Sequence, residues 1–467
     1  MTRHLSLLLA LVALTSSGAL ARPDDPGAGE LFTFDAGDTV ETFDTARFRV
    51  HYTRAGDHRV PATDGDDSGV PDHVETLGAV YEDVLDRYLG LGFKAPLPDG
   101  GDDPANNDER FDVYLVDFGL SADGAFTVEG CSGGTCFGYM VQENDFSGYG
   151  YPSVGYANRL LASHELFHAV QAAYDHAQGA VMGEGTAVWA SEMFDEGFDD
   201  YEGYAGYFLD ETNLPLDAEG GSAVSGRTYG SVIFWQYLME RFGEDTVRRM
   251  WEATEDGAGG VADPYWLDVV DAVTGVGFDE LLAEFARWTV YTSERADPSL
   301  SFAAGSRLDD VNTLELELPL QDDSTLVFDA GFQTFRVTPG ARARVEVALS
   351  GDDAIELRVA LFAVGSGEVL EALAVSGARG GIDVNGADEV WLQLINTSRA
   401  GGAARPGLCV GDPSEVDECL AELAGEDPPP DDVDPPPPSC GDCSSALGAW
   451  PAFLALAGLL ARRRRGR

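Results

Sequence analysis

The chain has 467 residues, 81 of them acidic and 29 basic, for a formal net charge of -52. A surface of that sign repels nucleic-acid phosphates, so a role built on binding DNA or RNA is excluded; it suits an exported soluble protein and attracts cations. The length allows two or three domains.

The chain opens with Met1-Thr2-Arg3-His4, then an apolar run from Leu5 to Leu14, then Ala19-Leu20-Ala21. A basic start, a short apolar core and a small-x-small site predict a secretory signal peptide over 1–21. Residues 22–47 read as a short leader, too small for a folded inhibitory prodomain. Phe48–Thr53 alternates like a strand. The acidic stretch that follows, 64–75, places Asp64, Asp66, Ser68, Asp72 and Glu75 at positions 1, 3, 5, 9 and 12 of a loop. Gly69 stands where such a loop must turn, and Val70 offers its carbonyl. This is similar to an EF-hand calcium loop and predicts a structural Ca2+. Pro71 at position 8 and the preceding strand depart from a paired EF-hand, so the reading is a lone calcium loop leading into a helix, Val74–Leu89. The competing reading is an acidic cap on a solvated surface. Asp99-Gly100-Gly101-Asp102-Asp103 and Asn106-Asn107-Asp108 are a weaker candidate for a second ion.

A strand is predicted over Phe111–Phe118, and Cys131 and Cys136 are spaced for a small-loop disulfide in an oxidising compartment. Phe137–Val141 is expected to be the edge strand that pairs with extended substrate. Arg159–Tyr174 has no Gly or Pro and suits a buried helix; it carries His164-Glu165-Leu166-Phe167-His168. On a helix, positions i and i+4 share a face, so both imidazoles can hold one zinc ion, with Glu165 in reach of a metal-bound water. A third protein ligand is then needed. The metzincin extension would put a His at 174, but Tyr174 stands there and Gln171 replaces the Gly of the bend. His176 reads as a surface residue at the helix end.

The segments HELFHAVQAAYD and GEGTAVWASE resemble those of a group of secreted bacterial metallopeptidases of myxobacterial type with a gluzincin-like core, over roughly Phe48 to Gly243. The resemblance implies an α+β fold: a zincin-like catalytic domain over 22–298. It implies His164, His168 and Glu184 as zinc ligands and Glu165 as general base. The activity it implies is endopeptidase hydrolysis of polypeptides through a zinc-bound water. Glu192 is the other carboxylate that could serve as ligand, but two helical turns, about 12 Å, separate it from Glu184; an outer-shell or surface role suits it better. A donor opposite the metal is also needed. Tyr229, in Gly226-Arg227-Thr228-Tyr229-Gly230, is the candidate, with Arg227 and His176 as alternatives.

Amphipathic helices are expected at Ser231–Arg241, Glu244–Glu255, Tyr265–Thr274 and Leu281–Ser293, forming a helical subdomain beneath the cleft. From Ser299 the pattern turns to period two: Thr313–Leu318, Thr334–Val337, Arg344–Leu349, Glu356–Leu361 and Val390–Ile395, separated by Gly- and Asp-rich turns. A β-sandwich accessory domain over 299–426 follows, with a Cys409/Cys419 disulfide. Residues 427–439 are a Pro/Asp-rich linker.

The end, 440–467, joins Cys440-Gly441-Asp442-Cys443, an apolar Ala446–Ala461 and an Arg cluster. It resembles the MYXO-CTERM sorting tag. The resemblance implies that Cys440 or Cys443 is a processing or anchoring residue, that export and sorting machinery are partners, and that membrane contact is confined to the signal peptide and this tag. The expected protein is a monomer at the cell surface or outside the cell. The alternative is a surface adhesin on a catalytically silent zincin scaffold, against which the intact Glu165 speaks; a calcium-dependent structural protein would leave both metal segments without a purpose.

Overall fold

Residues 22–24, 32–98, 109–219, 226–322, 324–351, 357–375 and 377–424 are described by the computed structural model. The signal peptide, the second acidic candidate at 99–108, the linker and the sorting tag with Cys440 and Cys443 lie outside them.

The first half is built on a five-stranded sheet: β1 (Val40–Asp44), β2 (Phe48–Thr53), β3 (Phe111–Val116), β4 (Gly124–Ser132) and β5 (Thr135–Glu143), in the order β1-β2-β3-β5-β4. β2, β3 and β5 run parallel; β1 and β4 are antiparallel to their neighbours. The crossover from β2 to β3 is α1 (Asp72–Gly90), and α2 (Val154–Ala172) follows β5. Alternation along β3 divides its side chains. Phe111, Val113 and Leu115 join α1 and α2 in the main core, while Tyr114 and Val116 form a second cluster with Tyr139 and Val141, packed by Phe32 and Phe34.

This sheet corrects two expectations. Phe137–Val141 lies in β5, between β3 and β4, with Met140 and Val141 paired to both; among the described residues the outer strand on that side is β4. Period-two patterning cannot tell an edge strand from its neighbour, because pairing is decided by the sheet order. The stretch 22–47 is also more than a leader. Val40–Asp44 pairs with β2 along its whole length, and Arg22 is buried, donating to both carboxylate oxygens of Glu129 at 2.8 and 2.9 Å and to Asp112 at 2.8 Å. It ties β3 to β4 across β5.

Helices follow: α3 (Ala180–Phe194), α4 (Asp200–Leu209), α5 (Gly226–Gly230), α6 (Val232–Phe242), α7 (Thr246–Ala253), α8 (Trp266–Thr274) and α9 (Phe278–Val290). α2 and α3 are buried on almost every face, which is why their sequences are apolar all round rather than amphipathic. α6 lies so close to α3 that a Cβ on Gly185 would stand 2.1 Å from Ser231 Oγ and 2.6 Å from Trp235 Nε1.

The C-terminal region is β-rich. β6 (Thr313–Leu316), β7 (Leu320–Asp322), β8 (Val327–Phe328), β9 (Gly331–Val337), β10 (Arg344–Ser350), β11 (Leu357–Gly365), β12 (Glu368–Val375), β13 (Arg379–Asp383), β14 (Glu389–Asn396), β15 (Ala403–Ala404) and β16 (Gly407–Gly411) form sheets ordered β13-β10-β16-β7, β12-β11-β14-β9-β6 and β15-β8. Val345 and Val347 of one sheet meet Leu361 and Leu392 of the next in a shared core. A helix that alternation does not announce, α10 (Pro413–Leu423), packs on this region. Asp412 and Glu415 form a reciprocal capping box at its start, and Cys409–Cys419 links it to β16. The outer face of the sheet β12-β11-β14-β9-β6 is covered at β9, β11 and β14. Phe332, Phe362, Trp391 and Ile395 belong to the core of the first half, and Gln393 Nε2 donates to Ala286 O of α9 at 2.8 Å. No helix among the described residues is long and apolar enough to cross a membrane.

Candidate metal centre

α2 starts from Ser153, whose side chain accepts from Tyr156 N, and carries His164, Glu165 and His168 into the interior. Their ligand atoms lie within 4.8 Å of one another, and all three residues are buried. The turn 173–179 reverses the chain, and α3 brings Glu184 to the same point. Glu184 Oε2 is 3.2 Å from His164 Nε2 and 3.5 Å from His168 Nε2. His168 Nε2 and Glu184 Oε1 are buried with no hydrogen-bond partner. Two imidazole nitrogens and a carboxylate converging in a buried place with unsatisfied atoms are a donor set that fits zinc.

The electrostatics agree. Burial pulls the Glu184 carboxyl up, but the two imidazoles outweigh it and hold it well below the usual carboxylate range. Burial lowers His168, and Glu184 more than reverses this, raising the imidazole to about 9. A place that stabilises a proton on a buried imidazole is one that favours positive charge. Burial raises Glu165, opposed by His168 and His164.

Two supports were invisible as motifs. Gln171 Oε1 lies 2.8 Å from His168 Nδ1, so Nδ1–H donates to it and Nε2 is left facing Glu184. The same side chain donates through Nε2 to Gly183 O at 2.8 Å and Thr186 Oγ1 at 2.9 Å, joining the two helices. Its place three residues after His168, on the same helical face, was the available signal. The second support is a backbone group: Phe126 N of β4 donates to Glu165 Oε2 at 3.1 Å, and no side-chain pattern announces that.

Tyr229 is buried beside the site, its ring 5.8 Å from His164 and stacked at 5.0 Å on Tyr204. Burial first, and Glu184 next, raise its phenol well above the ordinary value, so it stays a neutral O–H donor. Arg227 is not available for that role: its guanidinium donates to the carbonyls of Glu211, Leu214, Pro215 and Ala218, holding the loop before α5. His176 is half-buried at the helix end rather than fully exposed. It lines a pocket with His168 and Glu184, and burial, then His168, push its imidazole down to about 4. Glu192 neighbours Glu202 and Asp200, and burial raises it to about 8. Asp200, buried and raised to about 7, feels His164, and Asp123, raised by burial to about 6, feels Glu165 and accepts from Tyr151 OH. When ionised, Asp123 and Asp200 add negative potential beside His164 and Glu165.

In the acidic loop, Asp64, Asp66 and Asp72 bring carboxylate oxygens within 4.8 Å of one another. Ser68 N donates to both Asp64 and Asp66, and Gly69 N to Asp64. Ser68 Oγ donates to Val70 O at 3.3 Å. Glu75 sits in the first turn of α1, outside that group of three. Cys131–Cys136 closes the β4–β5 hairpin.

No family model matches the chain, and no curated protein matches it. Among solved structures, the pre-peptidase C-terminal domain of a collagenase from Bacillus anthracis aligns at 8% identity over 21% of this chain and 94% of its own, with a TM-score of 0.17. PliG of Aeromonas hydrophila, a periplasmic inhibitor of g-type lysozyme, aligns at 16% identity over 21% of this chain and 98% of its own, with a TM-score of 0.15. At such TM-scores neither likeness bears on what this protein does.

Proposed function

We propose that this protein is an exported zinc-dependent endopeptidase with a gluzincin-type catalytic domain, acting on polypeptides at or beyond the cell surface. The observation that carries the reading is the convergence of His164 Nε2, His168 Nε2 and Glu184 on one buried point, with His168 Nε2 and Glu184 Oε1 otherwise unpartnered. When bound there, zinc would supply Lewis-acid polarisation of a carbonyl and acidify a water.

The chain's own groups do the rest. Phe126 N engages Glu165 Oε2 and leaves Oε1 to accept a proton from the attacking water and return it to the leaving amine. Tyr229 holds a neutral O–H next to His164, a donor for negative charge developing on the carbonyl oxygen. β4, with one edge beside Glu165 unpaired among the described residues, can pair with an extended peptide backbone. Asp64, Asp66 and Asp72, with Ser68, Val70 and Glu75 completing the set, would hold Ca2+ at the start of α1.

The test is zinc content and casein cleavage, with calcium present, for the protein and for Glu165→Gln. One equivalent of zinc in both and cleavage by the parent alone is the expected result. Zinc in both with cleavage by neither would move the reading to a binding protein on a silent scaffold, and no zinc in the parent would end the ligand assignment.

A further inference from the structure

Next to the metal position the fold leaves a pocket that is partly open to solvent. Phe126 of β4, His168, Glu184, Asp175, His176 and Trp251 are among the residues that line it. Asp175 sits in the turn between the two metal helices and is only 1% exposed. Its Oδ1 accepts from Ala177 N at 2.8 Å and its Oδ2 from Gln178 Nε2 at 2.5 Å. Gln178 is itself held by Pro264 O and Trp266 N, so the carboxylate is fixed in place. Two accepted bonds leave about half of its acceptor positions open.

What it lacks is a cation. No basic side chain is ion-paired with Asp175 among the described residues, and the charges acting on it, Asp263 and Asp256, are of its own sign. Burial first, then those two, raise its carboxyl to about 6, so it is still ionised at neutral pH. His176 cannot neutralise it, because burial keeps that imidazole uncharged. A buried, oriented, uncompensated carboxylate beside a reaction centre is costly to the fold unless a ligand supplies the opposite charge. Extended substrate pairing with β4 would direct alternate side chains to one face, and the pocket is lined by that strand's Phe126.

Resting on the peptidase reading, we propose that this pocket takes a basic side chain, Lys or Arg, of the residue adjoining the scissile bond, and that Asp175 is the specificity-determining residue.

The test uses the zinc-loaded protein on a complex peptide mixture, with the new termini read by mass spectrometry. It is followed by kcat/KM on matched peptides carrying Lys, acetyl-Lys or Leu at the variable position. Cleavage sites dominated by Lys and Arg are expected, with a Lys to acetyl-Lys ratio of roughly 10–100. In Asp175→Asn that ratio should fall to within about threefold of unity, its zinc content and melting being checked alongside. Because acetylation removes the charge from the substrate, the parent protein decides the matter even if the variant does not fold. Glu165-dependent cleavage without basic preference would overturn this inference and leave the peptidase reading standing. So would a preference that survives Asp175→Asn. Absence of any Glu165-dependent cleavage would overturn both.

Discussion

His168 has two neighbours with different tasks: Glu184 Oε2 lies 3.5 Å from its Nε2, and Gln171 fixes its Nδ1. Gln171→Ala should therefore weaken zinc binding by roughly 10–100-fold, measured by competition with a chromophoric chelator. Because the same amide bridges to Gly183 and Thr186, the change should also cost about 1–3 kcal/mol in urea unfolding. Unchanged zinc affinity would show that Gln171 only packs. Glu192 offers a pH-dependent case away from the metal. Burial, then Glu202 and Asp200, raise its carboxyl from 4.5 to about 8, and its Oε2 has no hydrogen-bond partner. The folded state thus keeps a proton that the unfolded chain releases, so stability falls as pH rises through that window and levels off above it. Glu192→Gln should match the parent near pH 4 and exceed it by on the order of 1 kcal/mol at pH 8, after discounting for partial exposure. Paired unfolding curves at the two pH values would check this, and a stabilisation larger at pH 4 would refute it.

Among the elements, β4 would matter most to substrate on the peptidase reading, yet its sequence, Gly124-Ala125-Phe126-Thr127-Val128-Glu129, looks no more functional than β5. It owes its role to lying outermost and to the Phe126 amide that it turns toward Glu165. Its hairpin is closed by Cys131–Cys136. Replacing both cysteines by Ser should lower stability by about 2 kcal/mol for so short a loop, and speed amide exchange in β4 more than in β3. The α3–α6 contact is a second sensitive place. Gly185→Ala puts a methyl where Ser231 Oγ and Trp235 Nε1 now donate to Val181 O. Overpacking there should cost about 1–3 kcal/mol and displace the adjacent Glu184, so zinc affinity should fall as well. Thermal melting with zinc titration would separate the two effects.

For the whole molecule, the continuity of the core matters most. Phe285 meets Phe332 at 6.0 Å, Tyr291 meets Phe362 at 6.3 Å, and Arg295 lies 4.0 Å over Trp391. The β-rich region is therefore a buttress of α9 as well as an accessory unit. A chain truncated after Asn312 should expose those rings and bind a hydrophobic dye or aggregate, as read by dye fluorescence and size exclusion. A folded truncated monomer with unchanged melting would show that the contact is dispensable.

The residues by themselves determined the helices that carry His164, His168 and Glu184, both disulfides within the described residues and most helices and strands, because each rests on local spacing: i,i+4 on a helix, alternation on a strand, short loops between cysteines. β2 begins and ends where its alternation does, at Phe48 and Thr53. What the tertiary structure decided is what spacing cannot carry. Sheet order made β4, not β5, the edge; packing set a half-buried His176 against the pocket, took Arg227 away from the site, and joined both halves in one core. Those outcomes depend on which distant faces meet, and on backbone donors such as Phe126 N that any residue type but proline would supply.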